Sequence, residues 1–428
     1  MNSSISNSAF RRPLKRQIQI KIDTGAYFAL VVMLLPILQI GFTYYLSVAS
    51  ICFALAMLLM VLRGVLTPQN ILLAAITGLI FALLPFIQSG FSGDGYLRYF
   101  RELFFAFILI AFFLFVRNSR NTAFIEPPYR ILLIVVLFEL VFTLIQLYFL
   151  PKVVYIGLPR DIFVNNAENL PDYLDLYYSY IRPFGTYGEP SYLAFIMLAV
   201  MMMVYGNIEH SKPARFVFAM AAIVGLISQS MSFIIFSALI FFPSVLRYMK
   251  ATFGQAGDFI VATVALVSIG TIFSLSRSQD ILSGTDASAN YRFFLPIAAL
   301  PQYISEHPLG APVPGVIDFF VNRDSASSVT AIRSIDNAFL GLAYSYGMMA
   351  LLFIFAIFVN IRSYTVFAFV FASMSFNGAV FSVDKVPVII LAVLAYMFSP
   401  RASLSVQGGV TSAKPRPSSS ADTNPHKV

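Results

Sequence analysis

The sequence predicts an all-α, polytopic integral membrane protein of about twelve transmembrane helices with two long extracytoplasmic loops. Three observations carry that reading. Of 428 residues, 58% are hydrophobic and 11% charged, with a mean hydropathy of +0.80, whereas a water-soluble domain carries about 25% charged residues. Apolar stretches of about 17 to 25 residues, the length at which a helix crosses a hydrocarbon core, recur along the chain. Backbone groups in lipid must pair within their own segment, and the alternation that a membrane barrel needs is missing, so each stretch reads as a helix.

In chain order, residues 1–25 are a polar, basic segment. The apolar run after them is too long for the core of a cleaved signal peptide and reads as a retained signal anchor. The candidate spans lie near 26–43, 44–62, 70–88, 99–116, 130–151, 190–206, 214–228, 231–246, 259–275, 338–359, 363–382 and 385–399, the first two parted only around Gln39 to Thr43. Residues 26–399 therefore form the membrane domain. The Ser- and Pro-rich tail 400–428 reads as disordered. With the N-terminus in the cytoplasm, 18 of the 28 Lys and Arg residues fall on the cytoplasmic side, which also receives the C-terminus. The net charge of +8 then follows from topology and calls for no nucleic-acid partner. Cys52 is the single cysteine, and His210, His307 and His426 are far apart, so neither a disulfide nor a metal site is expected within the chain.

Most of these spans carry no ionisable residue, which directs attention to the loops at about 152–188 and 276–337. Loops that long are functional or partly folded on their own. The first ends in "RPFGTYGEPSYLAF" and holds tyrosines, Tyr187 among them, that form either an interfacial aromatic belt or a surface gripping saccharide or lipid headgroups. Arg182 stands before a Gly turn and a helix start, an anion-binding arrangement. Glu189, followed by Pro190, either begins the helix or serves chemistry. Glu139 lies mid-span, where an ionisable residue faces a bundle partner or a cavity. Arg98, Arg101 and Glu102 either snorkel and pair along their helix or add a phosphate grip. The stretch Ser228 to Ser232, "SQSMS", reads as a short turn whose hydroxyls could reach a site mouth.

The second loop contains Arg292 opening an amphipathic stretch, then "SEHPLG", "SIDNAFL" and a "YG" that leads into the next span. This order resembles the superfamily of Wzy-type polysaccharide polymerases and O-antigen ligases, and "RPFGTYGEPS" is similar to the segment before a membrane helix in exopolysaccharide polymerases. The likeness covers roughly residues 180–350 by motif and the rest by helix count. It implies a membrane glycosyltransferase, without cofactor, that polymerises polyprenyl-pyrophosphate-linked oligosaccharides at the extracytoplasmic face of a bacterial inner membrane. Partners implied are those saccharides, membrane lipids and other components of an export pathway, such as a flippase and a chain-length regulator.

By the same resemblance Arg182 and Arg292 hold the pyrophosphate. A guanidinium suits that task because it is planar, two-pronged and charged at any pH. Arg333 either joins them or pairs with Asp336. Asp336 or Glu189 takes the proton of the acceptor hydroxyl, and Tyr187, Asn337 and Arg101 are further candidates. Ligases carry His where this chain has Asp336, a departure that weakens the ligase alternative. Asp336 is otherwise an N-cap for the following helix, and His307 a turn residue. A lipid-linked saccharide flippase is the alternative from another class, although transporters place polar or broken helices at the bilayer midplane.

Overall fold

A computed structural model describes residues 24–41, 47–62, 126–152, 182–254, 294–311, 337–375 and 384–399, with shorter pieces at 68–69, 72, 75–76, 108–114, 154, 156–158 and 319–320. Among the described residues every element is helical save one isolated bridge between Gly41 and Ser47. The helices are α1 (Thr24–Leu34), α2 (Val48–Leu62), α3 (Tyr129–Phe149), α4 (Pro190–Tyr205), α5 (Lys212–Ile227), α6 (Met231–Phe253), α7 (Leu295–Glu306), α8 (Ala338–Tyr346), α9 (Met349–Phe358), α10 (Tyr364–Ser375) and α11 (Val386–Met397). A 3-10 turn, Leu35–Ile37, follows α1. The spans expected at 259–275 and over nearly all of 70–88 lie outside the described residues.

α4 is the axis of the bundle. Its sequence, PSYLAFIMLAVMMMVY, is dominated by Leu, Ala and Met, which lose little side-chain freedom in a helix. Pro190 takes the first position, where a missing N–H costs nothing. All sixteen residues are buried, as expected of a helix that is apolar all round. α5, α6 and α11 pack against it, and α5 also packs on α3. α11 runs parallel to α4, with Tyr192 against Asp384 at one end and Tyr205 stacked on Tyr396 at the other.

α3 is patterned the opposite way to a helix of a water-soluble protein. Ile134, Leu137, Phe138, Val141, Leu144, Ile145 and Tyr148 are exposed, while Glu139, Thr143 and Gln146 are fully buried beside Leu132, Val135 and Val136. With the following 3-10 turn it forms a 24-residue apolar helix, Tyr129–Lys152, the one helix among the described residues long and apolar enough to cross a membrane. Exposed Leu352 and Phe355 on α9 repeat the pattern.

The single span expected over 338–359 is instead two helices, α8 and α9, broken at Gly347. The break has a tertiary cause. Gly347 adopts φ 56° and ψ −136°, backbone suited to glycine alone. The Met348 amide donates to the Pro308 carbonyl at 3.0 Å, and the Ala311 amide donates to the Tyr344 carbonyl at 3.1 Å. The "HPLG" turn is thereby clasped against the "YG" link. His307 ends α7, and its carbonyl accepts from Gly310, so the residue serves as the turn that the sequence predicts. Tyr303 donates to the Tyr344 carbonyl and Tyr344 to the Pro296 carbonyl, both at 2.8 Å. These bonds fix α7, a helix within the second long loop, against α8.

A Cβ at Gly347 would strike the Pro308 carbonyl and the Gly310 nitrogen, whereas one at Gly254, also at positive φ, would meet nothing. Gly254→Ala should therefore cost about 1–2 kcal/mol of backbone strain. Gly347→Ala should cost clearly more, read as the larger fall in midpoint when the detergent-solubilised variants are unfolded by heat.

Candidate functional site

The segment "RPFGTYGE", Arg182 to Glu189, is folded down against α3 and the end of α1. It enters there because α3 offers two buried polar side chains at the spacing of two helical turns, Glu139 and Gln146. Gln146 uses all four of its hydrogen-bonding positions. Its Oε1 accepts from the amides of Phe184 (2.9 Å) and Gly185 (2.8 Å), and its Nε2 donates to the carbonyls of Gly185 and Ile156, both at 2.8 Å. Glu139 Oε2 accepts from the Thr186 amide at 3.2 Å, and Oε1 lies 2.6 Å from Thr186 Oγ1. Gln39 Oε1 accepts from the Gly188 amide at 2.9 Å. Of the two roles open to Glu139, the structure gives the bundle partner, and that partner is a loop threonine.

Gly185 makes the close approach possible. It has φ +63°, and a Cβ there would collide with Glu139 Oε2 and crowd Leu193. Both the conformation and the space exclude other residues.

Arg182 stands beside a Gly turn whose amides, those of Phe184, Gly185, Thr186 and Gly188, are engaged by α3 and by Gln39. The turn binds its own protein. Arg182 is partly exposed and its Nη1 reaches the Gln229 carbonyl, 3.5 Å away, in the turn joining α5 to α6. Gln229 holds a positive φ of 52°. The "SQSMS" stretch does reach this end of the bundle, with its backbone; the Ser228 hydroxyl turns inward and donates to the Gly225 carbonyl at 2.6 Å.

Two other candidates have structural duties. Tyr187 is fully buried, donating to the Leu35 carbonyl at 3.1 Å with its ring tilted against that of Tyr192, so it faces the bundle. Burial, with the Glu139 carboxylate nearby, pushes its phenol well above the ordinary range. Asn337 is 5% exposed and caps α8, its Oδ1 accepting from the amides of Phe339 (2.9 Å) and Leu340 (3.2 Å). The cap expected of Asp336 is thus made one residue later. Glu189 stands at the N-cap of α4 in extended conformation, but its carboxylate accepts from the Ser191 hydroxyl at 3.1 Å and caps no backbone amide. Arg101, Arg292, Arg333 and Asp336 lie outside the described residues.

The start of α11 adds residues that sequence reasoning passed over. Asp384 is 9% exposed and Lys385 2% exposed, with the Lys385 ammonium 5.8 Å from the centre of the Phe195 ring. Tyr192, in the first turn of α4, donates to the Asp384 carbonyl at 3.3 Å. Their signal was a charged pair directly before Val386 and Pro387 at the head of an otherwise apolar span. One end of the bundle thus gathers Arg182, Glu189, Asp384 and Lys385. At the other end a groove between the starts of α3 and α5 is lined by Pro128, Tyr129, Arg130, Ile131, Leu133, Pro213 and Val217 and presents an almost wholly apolar surface. Among the described residues no group of three or more His, Cys, Asp or Glu side chains could hold a metal ion.

No family model matches the sequence, and no curated protein matches it either.

The clamp on the turn makes a graded prediction. Thr186 Oγ1 lies between Glu139 Oε1 and the Pro36 carbonyl, 2.5 Å away, and its single proton serves only one of them. Glu139→Gln, whose amide can donate to Thr186 Oγ1 and accept from the Thr186 amide, should keep the turn. Gln146→Leu strands the buried groups of Phe184 and Gly185 at about 1–3 kcal/mol each. Limited proteolysis and thermal unfolding in detergent should show Gln146→Leu opened and Glu139→Gln close to wild type.

Proposed function

We propose that the protein is a membrane glycosyltransferase that polymerises polyprenyl-pyrophosphate-linked oligosaccharides at the extracytoplasmic face of a bacterial inner membrane. The observation that carries the reading is the contrast between interior and end. Inside the bundle Glu139 and Gln146 are engaged in holding one turn. The charges Arg182, Glu189, Asp384 and Lys385 gather where that turn meets the start of α4. A charged end above an apolar bundle suits a ligand whose headgroup is charged and whose tail is lipid.

The outward apolar face of α3 supports insertion in a bilayer, and the apolar runs and basic residues of the sequence extend the proposal to about twelve spans with both termini in the cytoplasm. Arg182 would hold the pyrophosphate by charge-assisted hydrogen bonds, together with Arg292 and Arg333 of the second loop. The terminal hydroxyl of a second lipid-linked unit would then be joined to the sugar released from the pyrophosphate. Confining both lipids to one membrane plane makes proximity a large share of the rate. The motif resemblance at "RPFGTYGEPS", "HPLG" and "DNAFL" points the same way. Glu139, the residue a flippase would use at its midplane, already has a structural partner. This weighs against the transporter alternative.

The test is genetic and chemical. In the native host without this gene, lipid-linked saccharides should accumulate as single repeat units on the extracytoplasmic side, and neither Arg182→Ala nor Arg292→Ala should restore polymer. Long lipid-linked polymer in the deletion strain would indicate a ligase, and single units held on the cytoplasmic face would indicate a flippase. Either outcome overturns the proposal.

A further inference from the structure

The beginning of α11 holds a carboxylate with one oxygen left unmet among the described residues. Asp384 directly precedes the N-cap of α11, a common place for an aspartate that caps a helix. The N-cap is instead Lys385, whose side chain makes no capping bond. Asp384 Oδ1 is buried without a hydrogen-bond partner among the described residues. The Tyr192 hydroxyl donates to the Asp384 main-chain carbonyl and lies against the carboxylate as well, without meeting Oδ1. Leaving a buried acceptor unmet is destabilising, so its retention needs a reason outside the fold.

The other described carboxylates around the Arg182 turn have donors. Glu189 accepts from Ser191, and Glu139 from the Thr186 amide. Asp384 is tied to the same corner by Tyr192, whose amide donates to the Glu189 carbonyl at 3.1 Å and whose hydroxyl reaches Asp384. Arg182 opens the turn that ends at Glu189. A cation able to hold a pyrophosphate and a carboxylate with one unmet oxygen therefore lie at the same end of the bundle as the N-terminus of α4.

Resting on the polymerase reading above, we infer that Asp384 is the catalytic residue that takes the proton of the acceptor hydroxyl. In that step the acceptor oxygen forms a bond to the anomeric carbon of the donor saccharide. The bond between that carbon and the pyrophosphate oxygen breaks, and its electron pair leaves with the lipid pyrophosphate at Arg182. The hydroxyl proton passes to the Asp384 carboxylate and from there to water. This assigns to α11 the role that sequence reasoning divided between Glu189 and Asp336.

The experiment uses the purified full-length protein and the lipid-linked saccharide fraction extracted from a strain lacking the gene. Chain growth and retention of that fraction by the protein are measured side by side. Asp384→Asn keeps the shape of the side chain and leaves the Tyr192 bond to the main chain intact. It should retain the saccharide as wild type does while elongating at least about a hundredfold more slowly. Asp384→Glu, which keeps a carboxylate, should recover part of the rate. Elongation by Asp384→Asn at the wild-type rate would overturn the inference and leave the polymerase reading standing. So would a loss of binding equal to the loss of turnover, or, should Asp384→Asn fail to fold, an Asp384→Glu protein that folds, binds and does not elongate. Failure of the wild-type protein to elongate would end both.

Discussion

The arrangement of this end of the bundle depends on one side-chain amide. Gln146 holds both hydrogen-bonding sides of the peptide at Gly185, and with Glu139 it turns an eight-residue stretch of loop into part of the helical core. Buried polar groups are costly when unpaired and rigid when fully paired. Here the pairing is complete at Gln146, so the loop inherits the order of the helix beneath it. Arg182 at one end of the stretch and Glu189 at the other are then set a fixed way apart, which a surface loop could not guarantee. The start of α4 and the turn at Gln229 are placed by the same anchor.

A second clasp works by similar means with different atoms. Gly310 and Gly347 let two backbone turns meet without side chains between them, and the Tyr303 and Tyr344 hydroxyls tie the adjoining helices through carbonyl acceptors. In both places the contacts run from a loop to a helix through main-chain groups. Asp384 stands apart from both clasps, since one of its carboxylate oxygens is buried and unmet among the described residues.

Much of this was legible beforehand. The apolar runs foretold helices close to their observed limits at α3, α4, α5 and α11, because a long apolar stretch bounded by Pro or Gly leaves few choices. The turn at His307 and a bundle partner for Glu139 were equally visible. The break at Gly347 was not, since its cause is the Pro308 carbonyl, distant in sequence. The direction of Tyr187 was hidden for the same reason: an aromatic beside glycines looks like an exposed gripping residue until Leu35 is seen to accept its proton. Asn337 and Asp336 were separated only by which one meets the first free amides of α8. Asp384 and Lys385 escaped notice because charges at the head of a span normally signify only the edge of the membrane.

The burial of α4 on every side bears on how the molecule is put together. A helix with no outward face has no permanent place at the periphery of the bundle, yet its long-range neighbour α11 is the last helix of the described chain to be synthesised. Until α11 arrives, the side of α4 that it will cover must be screened by something else, either lipid or a passing chaperone. Completion of this core therefore waits on α11, and a chain halted before residue 386 leaves its central helix open on that side.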